Sequence, residues 1–145
     1  RLDHARAVIG ALTAAGVRRV VWNATGAIPP VATGNPGVDI RRDILALLDE
    51  SAMDVVALQP TVYMENLLGP WTAPEVIAED QLAYPLPPTV AVQWISHEDA
   101  GAFAAAAFDH LPTGRHLVEI SGPEVLTGPE AAASFTRGLG RPVSY

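Results

Sequence analysis

Apolar positions in the first 60 residues follow two alternating periods. Ala5, Val8, Ile9 and Leu12 are spaced as one stripe of a helix, and Gly16 follows as a residue suited to a left-handed stop. VRRVVWN then predicts a strand over Val17 to Asn23, and the adjoining Val20, Val21 and Trp22 suit a strand covered on both faces of a parallel sheet. The stretch TGAIPPVATGNPG, residues 25–37, predicts a long loop of the kind that carries function in α/β proteins. Asp39 stands where a helix cap is expected, and Ile40, Ile44, Leu47 and Leu48 renew the helical stripe. A second strand, Val55 to Leu58, ends at Gln59 and Pro60.

Beyond Thr61 the pattern loosens, with five prolines between Pro70 and Pro88; helix is predicted at Val62 to Leu68 and at Pro74 to Asp80. Val90 to Ile95 reads as a strand. Ser96 and Asp99 then open a helix whose apolar face runs through Ala100, Phe103, Ala107 and Leu111. His116 to Ile120 is a further short strand. Thr127 and Glu130 form a capping box, with Pro129 in the first turn of a helix that runs through Ala132 and Phe135 to Gly138. This alternation predicts an α/β fold with a largely parallel sheet.

Composition narrows the class. With 49% hydrophobic and 17% charged residues the chain is able to build a core, and 16 acidic against 9 basic residues give a net charge of −7. Phosphate recognition needs a basic face, so nucleic acid is not an expected partner. The absence of cysteine removes disulfide frameworks and thiolate metal sites. No apolar run approaches the roughly 20 residues of a membrane span, and the first residues lack a signal-peptide core, so a soluble, cytoplasmic protein is expected. His97, Glu98 and Asp99 are adjacent on a strand-to-helix junction and diverge, so no metal is expected.

Chemistry is expected where strands end. In open α/β sheets ligands bind outside the carboxyl ends of the strands, and Asn23-Ala24-Thr25 and Gln59-Pro60-Thr61 are two such ends. The alternative is that Asn23 and Thr25 only satisfy loop backbone groups. Neither a Gly-x-Gly-x-x-Gly turn, a GxxxxGK[ST] loop nor a G-x-S-x-G elbow occurs.

Four segments in order, AAGVRRVVWNAT, LLDESAMDVVALQPTVYMENLLGPW, VQWISHEDAGAFAAAAF and ISGPEVLTGPEAAASFTRGLGRPVSY, together resemble the second half of the NmrA-like family of atypical short-chain dehydrogenases. The resemblance implies a Rossmann-like α/β fold, its carboxyl-terminal half only, with a small α/β substrate-region lobe. Residues 1–60 would belong to the dinucleotide-binding domain and 61–145 to the substrate lobe, packed on it as one unit. It also implies a glycine-rich half upstream of Arg1. NADP or NAD is the implied cofactor, and a small carbonyl or enone-like molecule the substrate. The cofactor would lie against Asn23, Ala24, Thr25, Pro60, Thr61 and Val62, and the substrate against Tyr63, Asn66 and Trp71. Thr25 and Tyr63 are the candidate polarising hydroxyls. Arg41 or Arg42 falls near the place of a family lysine, where arginine keeps the charge but cannot shuttle protons. Packing of Tyr63, Met64 and Leu67 against their own helix is an equal alternative. The implied activity is NAD(P)-dependent oxidoreduction, and the missing lysine motivates a second possibility, a non-enzymatic redox-sensing regulator.

Overall fold

A computed structural model describes residues 1–145. The chain divides into two compact units, Arg1–Pro60 with Gly101–Ile120, and Thr61–Ala100 with Ser121–Tyr145. Residues 101–120 join the first unit because their strand completes its parallel sheet. No helix is long and apolar enough to cross a membrane.

In the first unit, helix α1 (Leu2–Ala14) leads through Gly16, at φ +71°, into strand β1 (Arg19–Asn23). Helix α2 (Pro36–Asp49) leads to β2 (Asp54–Pro60), and β5 (Arg115–Ile120) follows much later. The sheet order is β1-β2-β5, all parallel, with Val20 opposite Val55 and Val56 opposite His116. Central β2 is the buried element: Val55, Val56, Ala57 and Leu58 are all at most 2% exposed, and each fully buried aliphatic side chain there contributes about 1.5–3 kcal/mol. Expected burial of β1 on both faces is corrected, since Val20, Val21 and Trp22 remain half-buried. Strand β1 has a single neighbour, so less of it is covered.

Helix α2 also corrects its expected cap. Asn35 is the N-cap, its side chain accepting from the Gly37 N–H at 2.9 Å, while Pro36 opens the first turn. Asp39 instead reaches back to the loop, accepting from the Thr33 N–H and hydroxyl and from the Gly34 N–H at 2.8–2.9 Å. These bonds, chiefly that from the Thr33 backbone, hold its carboxyl below the usual aspartate value.

The second unit starts with a two-residue strand β3 (Val62–Tyr63) and a 3₁₀ turn (Met64–Leu68), where an α-helix had been expected; Gly69 closes the turn before a second repeat of the period can form. Helix α3 (Ala73–Glu79) follows and ends on Asp80 at φ +55°. Strand β4 (Val92–Ile95) pairs parallel with β3 and antiparallel with β6 (Val125–Leu126). Helix α4 (His97–His110), whose residues 101–110 belong to the first unit, starts where Ser96 Oγ accepts from the Asp99 N–H at 2.9 Å, as its sequence predicts. Helix α5 (Gly128–Leu139) carries the predicted capping box and runs one residue past the expected end at Gly138, to a left-handed cap at Gly140. Leu67, Val76, Leu82, Trp94, Ala131, Ala132 and Val143 form the core of this unit.

Candidate functional site

At the carboxyl end of β1 the chain turns sharply. The Asn23 side chain accepts from the Thr25 N–H at 2.8 Å, and Thr25 adopts φ +56°, a left-handed geometry that side chains other than Asn, Asp and Gly rarely take. The Ala24 N–H continues the ladder onto the Leu58 carbonyl at 2.9 Å, so the turn sits beside the end of β2. The Thr25 hydroxyl donates to the Ala24 carbonyl at 2.7 Å.

Arg41 projects from α2 onto this turn. Its Nε donates to the Ala24 carbonyl at 3.0 Å, and its two terminal nitrogens reach the carbonyls of Thr25 and Ala27 at 3.4 and 3.5 Å. From β2, Gln59 accepts the Ile28 N–H at 2.6 Å. An arginine and an amide thus brace a loop that has few backbone bonds of its own, which fixes where Asn23, Ala24 and Thr25 stand.

Thr61 follows Pro60 directly, and its Oγ1 is buried without a hydrogen-bond partner. The next residues build a cluster inside the second unit. Tyr63 meets the His97 ring edge-on, with centroids 4.4 Å apart. One Glu65 oxygen accepts from the His97 N–H at 2.8 Å, while the other, Oε2, is buried with no hydrogen bond and lies 3.8 Å from His97 Nδ1. Asn66 donates to the Tyr84 hydroxyl at 3.3 Å.

Next to this cluster the second unit holds a cavity of about 400 Å³. Leu67, Trp94, Leu126, Ala131 and Phe135 wall it, with Glu65 and Glu124 among its lining residues. Tyr84 braces the Trp94 ring in an edge-on contact at 5.4 Å. Helix α5 is held in place by its cap: the Thr127 N–H and hydroxyl both donate to Glu130, which keeps that carboxyl below its usual value.

The sequence profile of the NmrA-like family matches residues 1–145. The chain belongs to the NmrA-like family. Among relatives in this family and fold, an NAD(P)H azoreductase from Xenophilus azovorans is 31% identical over 142 residues, which is 96% of the chain and 47% of that enzyme. The chain therefore spans about half the length of the curated relative it matches. An NADPH-dependent quinone oxidoreductase from Escherichia coli, solved with NADPH, superposes with a TM-score of 0.82 at 23% identity, over 100% of this chain and 50% of that one. The negative transcriptional regulator NmrA, solved with NADP, superposes at 0.77 with 16% identity, over 100% of this chain and 48% of that one. Both likenesses establish the Rossmann-type fold expected from the sequence.

For an NmrA-like chain, the expected site residues separate into two groups. Asn23, Ala24, Thr25, Arg41 and Pro60 lie in the first unit, and Thr61, Val62, Tyr63, Asn66 and Trp71 in the second. Within the first group, Arg41 is joined by hydrogen bonds to the Ala24–Ala27 turn. Within the second, Tyr63 gains His97 as a ring partner, whereas Trp71 is 61% exposed and stands outside the cavity lining. Sequence reasoning missed Glu65, His97, Trp94 and Phe135. The spacing of Glu65 and Trp94 carries no signal, because β3 and β4 become neighbours only on folding.

Proposed function

We propose that the protein carrying this chain is an NAD(P)-dependent oxidoreductase that reduces a small, mostly apolar carbonyl or enone-like acceptor. The observation that carries this reading is the 31% identity, across nearly the whole chain, to an enzyme named an NAD(P)H azoreductase. The residues present fit the nicotinamide end of NADP or NAD. Thr61 offers a buried hydroxyl with no partner, and the braced Asn23–Thr25 turn lies at a strand's carboxyl end, where this fold takes its ligands.

Bound nicotinamide supplies the hydride. The chain supplies orientation. In the first unit Asn23, Ala24, Thr25 and Pro60 would hold the ring, with Arg41 fixing the turn from behind; Thr61 and Val62 are the cofactor candidates of the second unit. Tyr63 is the hydroxyl that would polarise the acceptor oxygen, because the Thr25 hydroxyl already donates its proton to the Ala24 carbonyl; Tyr63 and Asn66 would border the substrate, whose apolar body would enter the cavity of the second unit. Arg41 stays protonated throughout, so its part is positional and electrostatic.

A regulator that binds the dinucleotide without turnover is the second reading. It is favoured by the basic residues, all nine of which are arginine, so the chain has no lysine for proton relay. Steady oxidation of NADPH or NADH with a panel of aldehydes and quinones is the expected result. Tight cofactor binding with no turnover across the panel would establish the regulator instead. Replacing Thr61 by Phe is expected to weaken cofactor affinity, and an unchanged affinity would remove Thr61 from the site.

A further inference from the structure

The cavity of the second unit has walls and charges that define what it can hold. A dry apolar cavity of about 150 Å³ takes one benzene ring, so about 400 Å³ has room for two fused or linked rings. Leu67, Trp94, Leu126 and Phe135 provide apolar and aromatic surface of the kind that grips flat ligands. The lining includes two carboxylates, Glu65 and Glu124, and no basic side chain. Arg137 stands outside the lining, with its guanidinium donating to the Ser134 hydroxyl at 2.8 Å. Glu65 Oε2 is buried without a hydrogen bond, with the His97 Nδ1 3.8 Å away, so a ligand donor would compete with His97 for it.

We infer that this cavity binds a planar two-ring aromatic molecule that is neutral or cationic and carries a hydrogen-bond donor, and that it rejects anionic aromatics. An anion brought to this lining meets two carboxylates, of which Glu65 is partly buried and repels it with reduced screening, while Glu124 is exposed and adds a weaker, screened repulsion. A cation or an N–H donor finds them as partners. The inference rests on the oxidoreductase reading only in calling that ligand a substrate; the selectivity itself follows from the cavity.

Binding of naphthol, naphthylmethylamine and naphthalene sulfonate to the chain, followed by calorimetry without any nicotinamide, tests it directly. Naphthol and the amine are expected to bind, and the sulfonate at least about tenfold more weakly, a difference of about 1.4 kcal/mol. Glu124 is exposed, so Glu124→Gln is expected to fold normally and to narrow the gap between amine and sulfonate by about threefold. Equal affinity for sulfonate and amine would overturn the inference, as would failure of all three probes to bind the folded chain at millimolar concentration. These outcomes are independent of turnover: selective binding by the chain, with no reductase activity in the protein that carries it, would remove the oxidoreductase reading and leave the cavity's selectivity standing.

Discussion

Gly122 ties the fold of the second unit to its cavity. It is buried between β5 and β6, and a Cβ built on it would overlap the backbone carbonyl of Trp94 and come within 3.5 Å of the Ile95 Cα. Both obstacles are backbone of β4, so no flexible side chain can swing away. Gly122→Ala must therefore displace the strand that carries the Trp94 wall, and overpacking of this kind costs about 1–3 kcal/mol. For a chain of this size that lowers the unfolding midpoint by roughly 3–10 °C. Gly101, exposed inside α4, is the internal control, because a Cβ there meets nothing within 4 Å. Gly101→Ala should stabilise the helix by about 0.5–1 kcal/mol through the lower backbone entropy of alanine in the unfolded chain. The same substitution thus has opposite signs at two positions. Urea unfolding followed by circular dichroism and by tryptophan fluorescence measures both, and naphthol binding by Gly122→Ala reports on the wall. Native stability and native naphthol affinity in Gly122→Ala would show that β4 yields freely and refute the argument.

Arg41→Ala removes the brace of the Ala24–Ala27 turn and leaves its carbonyls to water. A stability loss of about 1–2 kcal/mol is expected, with amide exchange at Gly26 to Ile28 accelerated about tenfold; unchanged exchange would show that Gln59 alone holds the loop. Asp39 has a lowered carboxyl pKa in the folded state, so its contribution to stability is present above the ordinary aspartate value of 3.8 and is lost as pH falls through the lowered one. The difference in midpoint between the native chain and Asp39→Asn should accordingly be constant near neutrality and shrink toward zero below pH 3.8, and a difference that grows on acidification would reverse the assignment.

Local physics was enough for the elements whose signals are local. The i, i+3, i+4 stripes marked α1 and α2, and the short apolar run Val55–Leu58 marked a strand. Thr127 and Glu130 announced the start of α5 because a capping box closes within four residues. The strand ends at Asn23–Thr25 and Gln59–Thr61 could likewise be read as candidate sites, since strand order and polarity alone select them. Competing caps could not be resolved so easily. Asn35 displaced Asp39 because Pro36 fixed the first helical turn, and Asp39 was then free to bond back to Thr33.

What the sequence by itself determined was the alternation of helix and strand and the family to which the chain belongs. These rest on periodicity and on motifs that each lie within a short stretch of chain. Only the tertiary structure decided that β1 is half-covered, because burial depends on how many neighbours a strand has. It alone brought Glu65 to the backbone of His97 and Tyr63 to its ring, across more than 30 residues of intervening chain. The cavity was invisible for the same reason: Leu67, Trp94, Leu126 and Phe135 come from four separate elements, and no one-dimensional period links residues whose contact is made by packing.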